Sequence, residues 1–233
     1  MFIYHIIIMK FIVLILSILL VSLSYILFRY FTNTTTILMP TTSLKNSNVP
    51  IPVKNITYSS RYALGIWVYV NSWDSNNTKL IFTLPGKINL YLEAMKPTLK
   101  LDFFVNGNNG IAKTVPITNS FPLQKWVYIT ISVDNNFIDL YIDGKLLKSV
   151  KLDGIQSDAT EENIYLGGIP AVKSDIVISK FFMWSNPLSL SQVWNEYLKG
   201  NGSTSSLFKF MTKYGVNINL MKDNVNTATY KLF

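Results

Sequence analysis

The sequence predicts an all-β sandwich or barrel, preceded by an apolar helix and followed by one short helix. Three observations carry that expectation. From Tyr58 onward, β-branched and aromatic runs are separated by turn residues at intervals of about ten positions. Residues 125–150 alternate apolar and polar side chains through two tight turns. Residues 11–28 form an uncharged apolar run bracketed by Lys10 and Arg29.

The apolar run comes first in the chain. Phe11, Leu14, Leu19 and Phe28 belong to a stretch long enough for a bilayer core, whose transfer terms sum to about −6 kcal/mol before its serines subtract. It is longer than the apolar core of a signal peptide, and Arg29-Tyr30-Phe31 stands where a small-residue cleavage site would be. The expectation is a retained single-pass anchor over residues 1–31 with the lipid bilayer as partner. Lys10 on one side and Arg29, Lys45 and Lys54 on the other leave its orientation open. Sequons at Asn33, Asn55, Asn76 and Asn201 are about as many as chance supplies in so Asn-rich a chain, so they do not settle it.

Residues 32–57 hold Pro40, Pro50 and Pro52 among polar residues and show no periodicity, which predicts an extended, spacing stalk. The domain proper is expected over 58–200, with about ten strands. Early strands are read at 62–70, 79–84, 88–93 and 99–105, the last ending in the hairpin signal Asn106-Gly107. Residues 125–150 read as a three-stranded meander with turns at Asp134-Asn135-Asn136 and Asp143-Gly144. In its first strand Val127, Ile129, Ile131 and Val133 share one face, and Trp126, Tyr128, Thr130 and Ser132 the other, as in a half-buried strand. Strands at 163–166 and 176–184 follow. Ser189 with Gln192 forms a capping box, Leu190, Val193, Trp194, Tyr197 and Leu198 fall at helical spacing, and Gly200 supplies the stop. Residues 201–233 form a lysine-bearing tail with Phe208, Phe210, Tyr214, Tyr230 and Phe233, either an extra strand pair or a segment that docks elsewhere.

Composition removes several kinds of chemistry. The chain has no cysteine, which excludes disulfides, thiolate metal sites and cysteine nucleophiles. Its one histidine, His5, precedes the apolar run, so the domain has no imidazole for a Ser-His relay or an ordinary zinc site. Net charge is +8, yet only Arg29 and Arg61 are arginines, and Lys79, Lys87, Lys96, Lys100, Lys113 and Lys125 are spread through strands and turns. Solvated strand faces explain them better than nucleic-acid binding does.

Four segments, in order, carry a resemblance to a family. They are residues 62–70 (Tyr-Ala-Leu-Gly-Ile-Trp-Val-Tyr-Val), Lys125-Trp126-Val127-Tyr128 with the Asp143-Gly144-Lys145 hairpin, Ile164-Tyr165-Leu166-Gly167-Gly168, and residues 181–189 leading into the helix. Together they resemble the concanavalin A-like lectin/glucanase superfamily in its laminin-G-like branch. That resemblance implies a two-sheet antiparallel jelly-roll sandwich, and in many relatives a rim that binds calcium or glycans. The anchor joined to this first motif is also similar to virion-associated proteins of large eukaryotic DNA viruses, which implies other capsid or virion proteins as partners.

Glucanases of the superfamily need two carboxylates about 5 to 5.5 Å apart on one strand face. Here Glu93, Glu161, Glu162 and Glu196 are the only glutamates, and none is spaced from an aspartate in that way, so the chain is expected not to be an enzyme. Asp74, Asp102, Asp153, Asp158 and Asp175 are the calcium candidates that the resemblance leaves, although each also fits an ordinary turn or strand edge. Calcium is the one cofactor kept open. Trp73, in the turn Asn71-Ser72-Trp73-Asp74, is the candidate for stacking on a sugar, whereas Trp67, Trp126, Trp184 and Trp194 are expected to pack. The reading is a membrane-anchored, non-enzymatic binding or structural module of a virion. A cellular lectin-like receptor using calcium is the alternative.

Overall fold

The computed structural model describes residues 2–32, 35–45, 50–107, 111–169, 173–202, 217–222 and 225–231. The chain divides into two units, Met1–Thr35 and Thr36–Phe233.

The first unit is helix α1 (Phe2–Thr32), in which Leu14 and Leu19 are exposed and the side chains of Phe11 and Phe28 lie outside the described residues. Among the described residues, no helix is long and apolar enough to cross a membrane. This overturns the expected single-pass location in a virion or cell membrane.

The second unit is two six-stranded sheets. The first runs in the order β1 (Thr35–Ser43), β12 (Ile176–Trp184), β3 (Arg61–Val70), β8 (Trp126–Asp134), β9 (Phe137–Ile142), β10 (Lys145–Lys151). The second runs β2 (Ile51–Pro52), β11 (Asn163–Leu166), β4 (Lys79–Leu84), β5 (Ile88–Leu92), β6 (Leu99–Phe104), β7 (Ala112–Thr118). The ladders from β12 to β10 and from β2 to β7 are antiparallel, and the arrangement is a jelly-roll-type sandwich. β13 (Asn217–Lys222) and β14 (Val225–Lys231) pair as a separate antiparallel hairpin. The tail aromatics Phe208, Phe210, Tyr214 and Phe233 lie outside the described residues.

The stalk expectation fails in a specific way. Residues 32–57 include β1, β2 and the short helix α2 (Lys54–Thr57), and Leu44, Ile51, Val53 and Ile56 are buried in the core. The prolines that suggested a spacer sit where a sheet edge tolerates them: Pro40 is in the edge strand β1 and Pro52 in the edge strand β2.

One face of each sheet meets the other across the main core. From the first sheet come Leu64, Ile66 and Val68 of β3, paired in register with Ile131, Ile129 and Val127 of β8. Opposite them the second sheet supplies Phe82, Leu90, Leu101 and Phe103, with Phe82 lying 5.1 Å from Phe181 of β12 between ring centroids. The outer face of the second sheet stays half-exposed, with Asn89, Tyr91, Lys100 and Asp102 on it.

The outer face of the first sheet is different. Strand β8 was expected to be half-buried, yet Tyr128, Thr130 and Ser132 are buried as fully as the residues opposite. Helix α3 (Leu190–Leu198) covers them, started by the capping box of Ser189 and Gln192 and inserting Val193. Tyr197 of α3 stacks on Trp67 (5.6 Å between ring centroids), and Trp67 lies 5.1 Å from Tyr128. Gly65 makes the approach feasible, because a Cβ there would stand 2.4 Å from the Tyr128 hydroxyl and 2.9 Å from the Trp184 ring. Of the tryptophans expected to pack, Trp67 and Trp184 do. Trp126 is half-buried beside Tyr69, and Trp194, 41% exposed, lies over Gly144.

A second buried polar feature lies in the main core. Lys87, fully buried, donates through Nζ to the carbonyls of Ser157 (3.0 Å) and Thr57 (3.3 Å), and faces the Tyr62 ring at 5.6 Å. Tyr62 donates to Gln156 Oε1 (2.8 Å), whose Nε2 returns a bond to the Lys87 carbonyl (3.1 Å). Burial pulls the Lys87 ammonium down to about 8, against the opposing pull of Asp158, and burial pushes the Tyr62 phenol up.

Two outcomes test this packing. Phe82→Ala, at the centre of the core, should lower stability by about 3 to 5 kcal/mol, and Trp126→Ala, on the wetter rim, by only about 1 to 2 kcal/mol, as read by urea denaturation. The second concerns pH: the unfolded lysine holds its proton to 10.5 and the folded one releases it near 8, so stability rises through that window. The melting temperature of the wild type should therefore climb relative to that of Lys87→Met between pH 8 and 10, and parallel curves would show that the ammonium is not desolvated.

Candidate functional site

At one end of the sandwich three stretches converge: the residues after β1, the connection from β3 to β4 (residues 71–78), and residues 173–175 leading into β12. Backbone bonds fix their spacing. The Leu44 amide donates to the Ile176 carbonyl (2.9 Å), and the Asn71 amide to the Asp175 carbonyl (2.9 Å). Around these stretches lies a cleft of about 440 Å³ lined by Lys45, Ser72, Asp74, Asn77, Lys79 and residues 173–175.

Asp175 is the hub of the cleft. Its carboxylate accepts from Lys45 Nζ (2.9 Å), Ser72 Oγ (2.7 Å) and Asn71 Nδ2 (2.9 Å), one donor from after β1 and two from the β3–β4 connection. Those bonds, the Lys45 ammonium foremost, hold its carboxyl down at about 2. Asp74 instead folds its own loop, accepting from the Asn76 amide (2.9 Å) and from Asn77 Nδ2 (3.4 Å). Lys79, expected on a solvated strand face, is buried at the base of this loop. Its ammonium donates to the carbonyls of Asp74 and Asn77 (2.8 Å to the latter) and lies 4.1 Å from the centre of the Trp73 ring. Burial lowers its pKa, against the pull of Asp74. Lys173 is exposed, and the Ser174 hydroxyl, in a residue only 6% exposed, has no hydrogen-bond partner among the described residues.

The structure therefore brings Asp74, Asp175 and Trp73 to one end and leaves the other candidates elsewhere. Asp102, on the outer face of β6, accepts from Thr114 Oγ1 (2.6 Å) and the Tyr91 hydroxyl (3.2 Å). Asp153 pairs with Lys113 (2.8 Å) and lines a second cleft with Asn135, Asn136 and Lys151. Asp158 is exposed and acts on buried Lys87. Among the described residues, no three acidic or histidine side chains are grouped for a metal ion. Glu93 is ion-paired with Lys100, which stands two residues along β6 from Asp102 on the same face.

Residues 43–194 match the model of a laminin-G-type family in the concanavalin A-like lectin/glucanases superfamily. The chain belongs to this family. The match begins before the expected boundary at 58, in agreement with the burial of Leu44 and Ile51. No match is found among curated proteins. Among solved structures, the chain is similar to the botulinum neurotoxin serotype D binding domain, at 17% identity and a TM-score of 0.56, over 69% of this chain and 43% of that one. It is also similar to the binding domain of Paraclostridial Mosquitocidal Protein 1, at 17% identity and a TM-score of 0.53, over 71% and 45%. A third is the binding domain of botulinum neurotoxin DC in complex with rat synaptotagmin II, at 17% identity and a TM-score of 0.52, over 65% and 40%. The chain spans less than half the length of each of these structures, and at such identity they share its sandwich fold. The comparisons do not bear on a virion origin.

Within this laminin-G-type sandwich, Lys45, Ser72, Asn77, Lys79, Lys173 and Ser174 are the cleft residues that sequence reasoning missed. No local motif marks them, since they meet only when chain positions more than a hundred residues apart fold together. The three-donor hub makes a prediction with a defined sign. A carboxyl held near 2 when folded and near 3.8 when unfolded contributes stability that is present above pH 4 and lost as pH falls towards 2. Asp175→Asn should therefore melt below the wild type at pH 6, with the gap closing by pH 2, and a gap independent of pH would show that the carboxylate charge is not what the three donors recognise.

Proposed function

We propose that this protein is a non-enzymatic recognition module whose ligand, a glycan, binds in the cleft around Asp175. One observation carries the reading: three loops at one end of the sandwich form a polar cleft of about 440 Å³ walled by Lys45, Ser72, Asn77 and Lys173. Hydroxyl-rich sugars suit such a wall. Trp73 beside the cleft offers an aromatic surface, although Lys79 lies against its ring.

The non-enzymatic part rests on the same chemistry read in reverse. Asp175 is engaged by three donors and held charged, Asp74 is engaged by its own loop, and Glu93 is paired with a lysine. A glycosidase nucleophile or general acid needs a carboxyl group free to meet the substrate, and each of these is already held by protein partners. Calcium fits poorly beside Lys45, whose ammonium lies 2.9 Å from the Asp175 carboxylate where a cation would have to sit.

The full chain should bind members of a glycan array, in the presence of chelator, with an affinity that falls at least tenfold when Asn77→Trp fills the cleft. Binding that survives the filled cleft would move the site elsewhere, and binding lost on chelation would restore calcium.

A further inference from the structure

We infer that the hairpin β13–β14 packs on helix α3 of its own chain, its apolar face covering the stripe of Leu190, Trp194 and Leu198. Two incomplete surfaces carry the inference, together with the length of chain that joins them.

The first surface belongs to α3. Val193 is buried and Tyr197 stacks on Trp67, so the inner side of the helix is spent on the first sheet. Leu190, Trp194 and Leu198 recur every four residues along another side and stay 56%, 41% and 63% exposed. Leu146 of β10 flanks them, two residues beyond the Gly144 that Trp194 overlies. It pairs with Tyr141, which is buried in one cluster with Val193, and is itself 48% exposed. Single exposed leucines are ordinary, whereas a contiguous apolar patch marks an interaction surface.

The second surface belongs to the hairpin. Its register sets Ile218 opposite Tyr230 and Leu220 opposite Ala228, with Asn217 opposite Lys231 and Asn219 opposite Thr229. Alternate positions share a face, so sequence and register give the hairpin one apolar and one polar face. A lone two-stranded hairpin is marginal in water and gains stability by packing on a helix or on further strands. The free sheet edges suit it less: β1 carries Pro40, which has no amide to donate, and β10 carries Lys145, Lys148 and Lys151, which repel Lys222 and Lys231. Helix α3 remains, and it is near. Asn201, just past α3, accepts from the Ser179 hydroxyl of β12 (2.8 Å), so the tail starts beside the helix. Residues 203–216, 14 in number, can span at most about 50 Å, and nine-residue α3 is about 13 Å long. A tether of that length gives the hairpin an effective concentration at α3 on the order of millimolar, which favours it over a second copy.

The chain has no cysteine, so engineered pairs in the full chain report without background. Lys222→Cys, beside the hairpin turn, is combined with Ser191→Cys or Lys199→Cys at either end of α3, or with Asn89→Cys on the outer face of the second sheet. A short bismaleimide should join Lys222→Cys to one end of α3, within one chain, at least tenfold faster than to Asn89→Cys. Adding Leu198→Lys, a cation that the C-terminal end of a helix accepts, should remove that advantage. In hydrogen exchange, the amides of β13–β14 should be protected in the wild type and lose at least tenfold of that protection in Leu198→Lys, with β3 unchanged. Hairpin amides that exchange freely in the wild type, or equal protection in Leu198→Lys, would overturn the docking. Crosslinks that form faster between chains than within one would overturn the choice of occupant and assign the stripe to a second copy.

Discussion

Strand β3 is packed from both sides at once, and the rest of the sandwich is arranged around that demand. Its inward residues Leu64, Ile66 and Val68 face the second sheet, while outward Ala63, Gly65 and Trp67 lie beneath a cluster of aromatic side chains that includes Trp184 and Tyr197. A strand buried on both faces has its ladder hydrogen bonds shielded from water, so its neighbours must be continuous and in register. β12 on one side and β8 on the other supply this continuity. The requirement reaches as far as single atoms, since Gly65 leaves room for the Tyr128 hydroxyl that no larger residue would leave.

Helix α3 is fastened to the same sheet by means that explain irregularities elsewhere. The pairing of β12 with β3 shifts between Ser179 and Phe182, and Lys180, at the shift, has a positive φ of 46°. A bulge there turns the lysine outward, and its ammonium reaches the Gly200 carbonyl (2.9 Å) and the Lys199 carbonyl (3.3 Å) just past the end of α3. A cation at a helix C-terminus meets the negative end of the dipole. At the other end, the Ser132 hydroxyl accepts from the Leu188 amide (3.0 Å), so a polar residue on the outer face of β8 positions the entry to the helix.

Much of this was legible from residues alone, where the signal is local. Asp143-Gly144 makes its hairpin with both residues at positive φ, the capping box of Ser189 and Gln192 starts α3, and the alternation of Val127, Ile129, Ile131 and Val133 points inward as read. What escaped depends on contacts remote in sequence. Tyr128, Thr130 and Ser132 look like a solvated face until α3 is laid on them. Lys87 looks like a solvated cation, yet carbonyls from other segments surround its ammonium group, whereas Lys79 turns back onto the carbonyls of the loop that precedes it. Pro40 and Pro52 look like spacer residues until their strands are seen to be edges. The cleft is the extreme case, because Lys45, Ser72 and Asp175 mean nothing singly.

The Asp175 carboxylate does more than shape a wall. By joining Lys45, Asn71 and Ser72 it ties two loops to the start of β12 before any ligand arrives, and the Asn71 amide adds a backbone tie to the same residue. Ordering loops is ordinarily a large part of what weakens binding, because each immobilised side chain subtracts from the gain in contacts. A preorganised rim avoids most of that loss. On the proposed reading, selectivity would come from fit to a fixed geometry, with small backbone change on association, as in lock-and-key recognition.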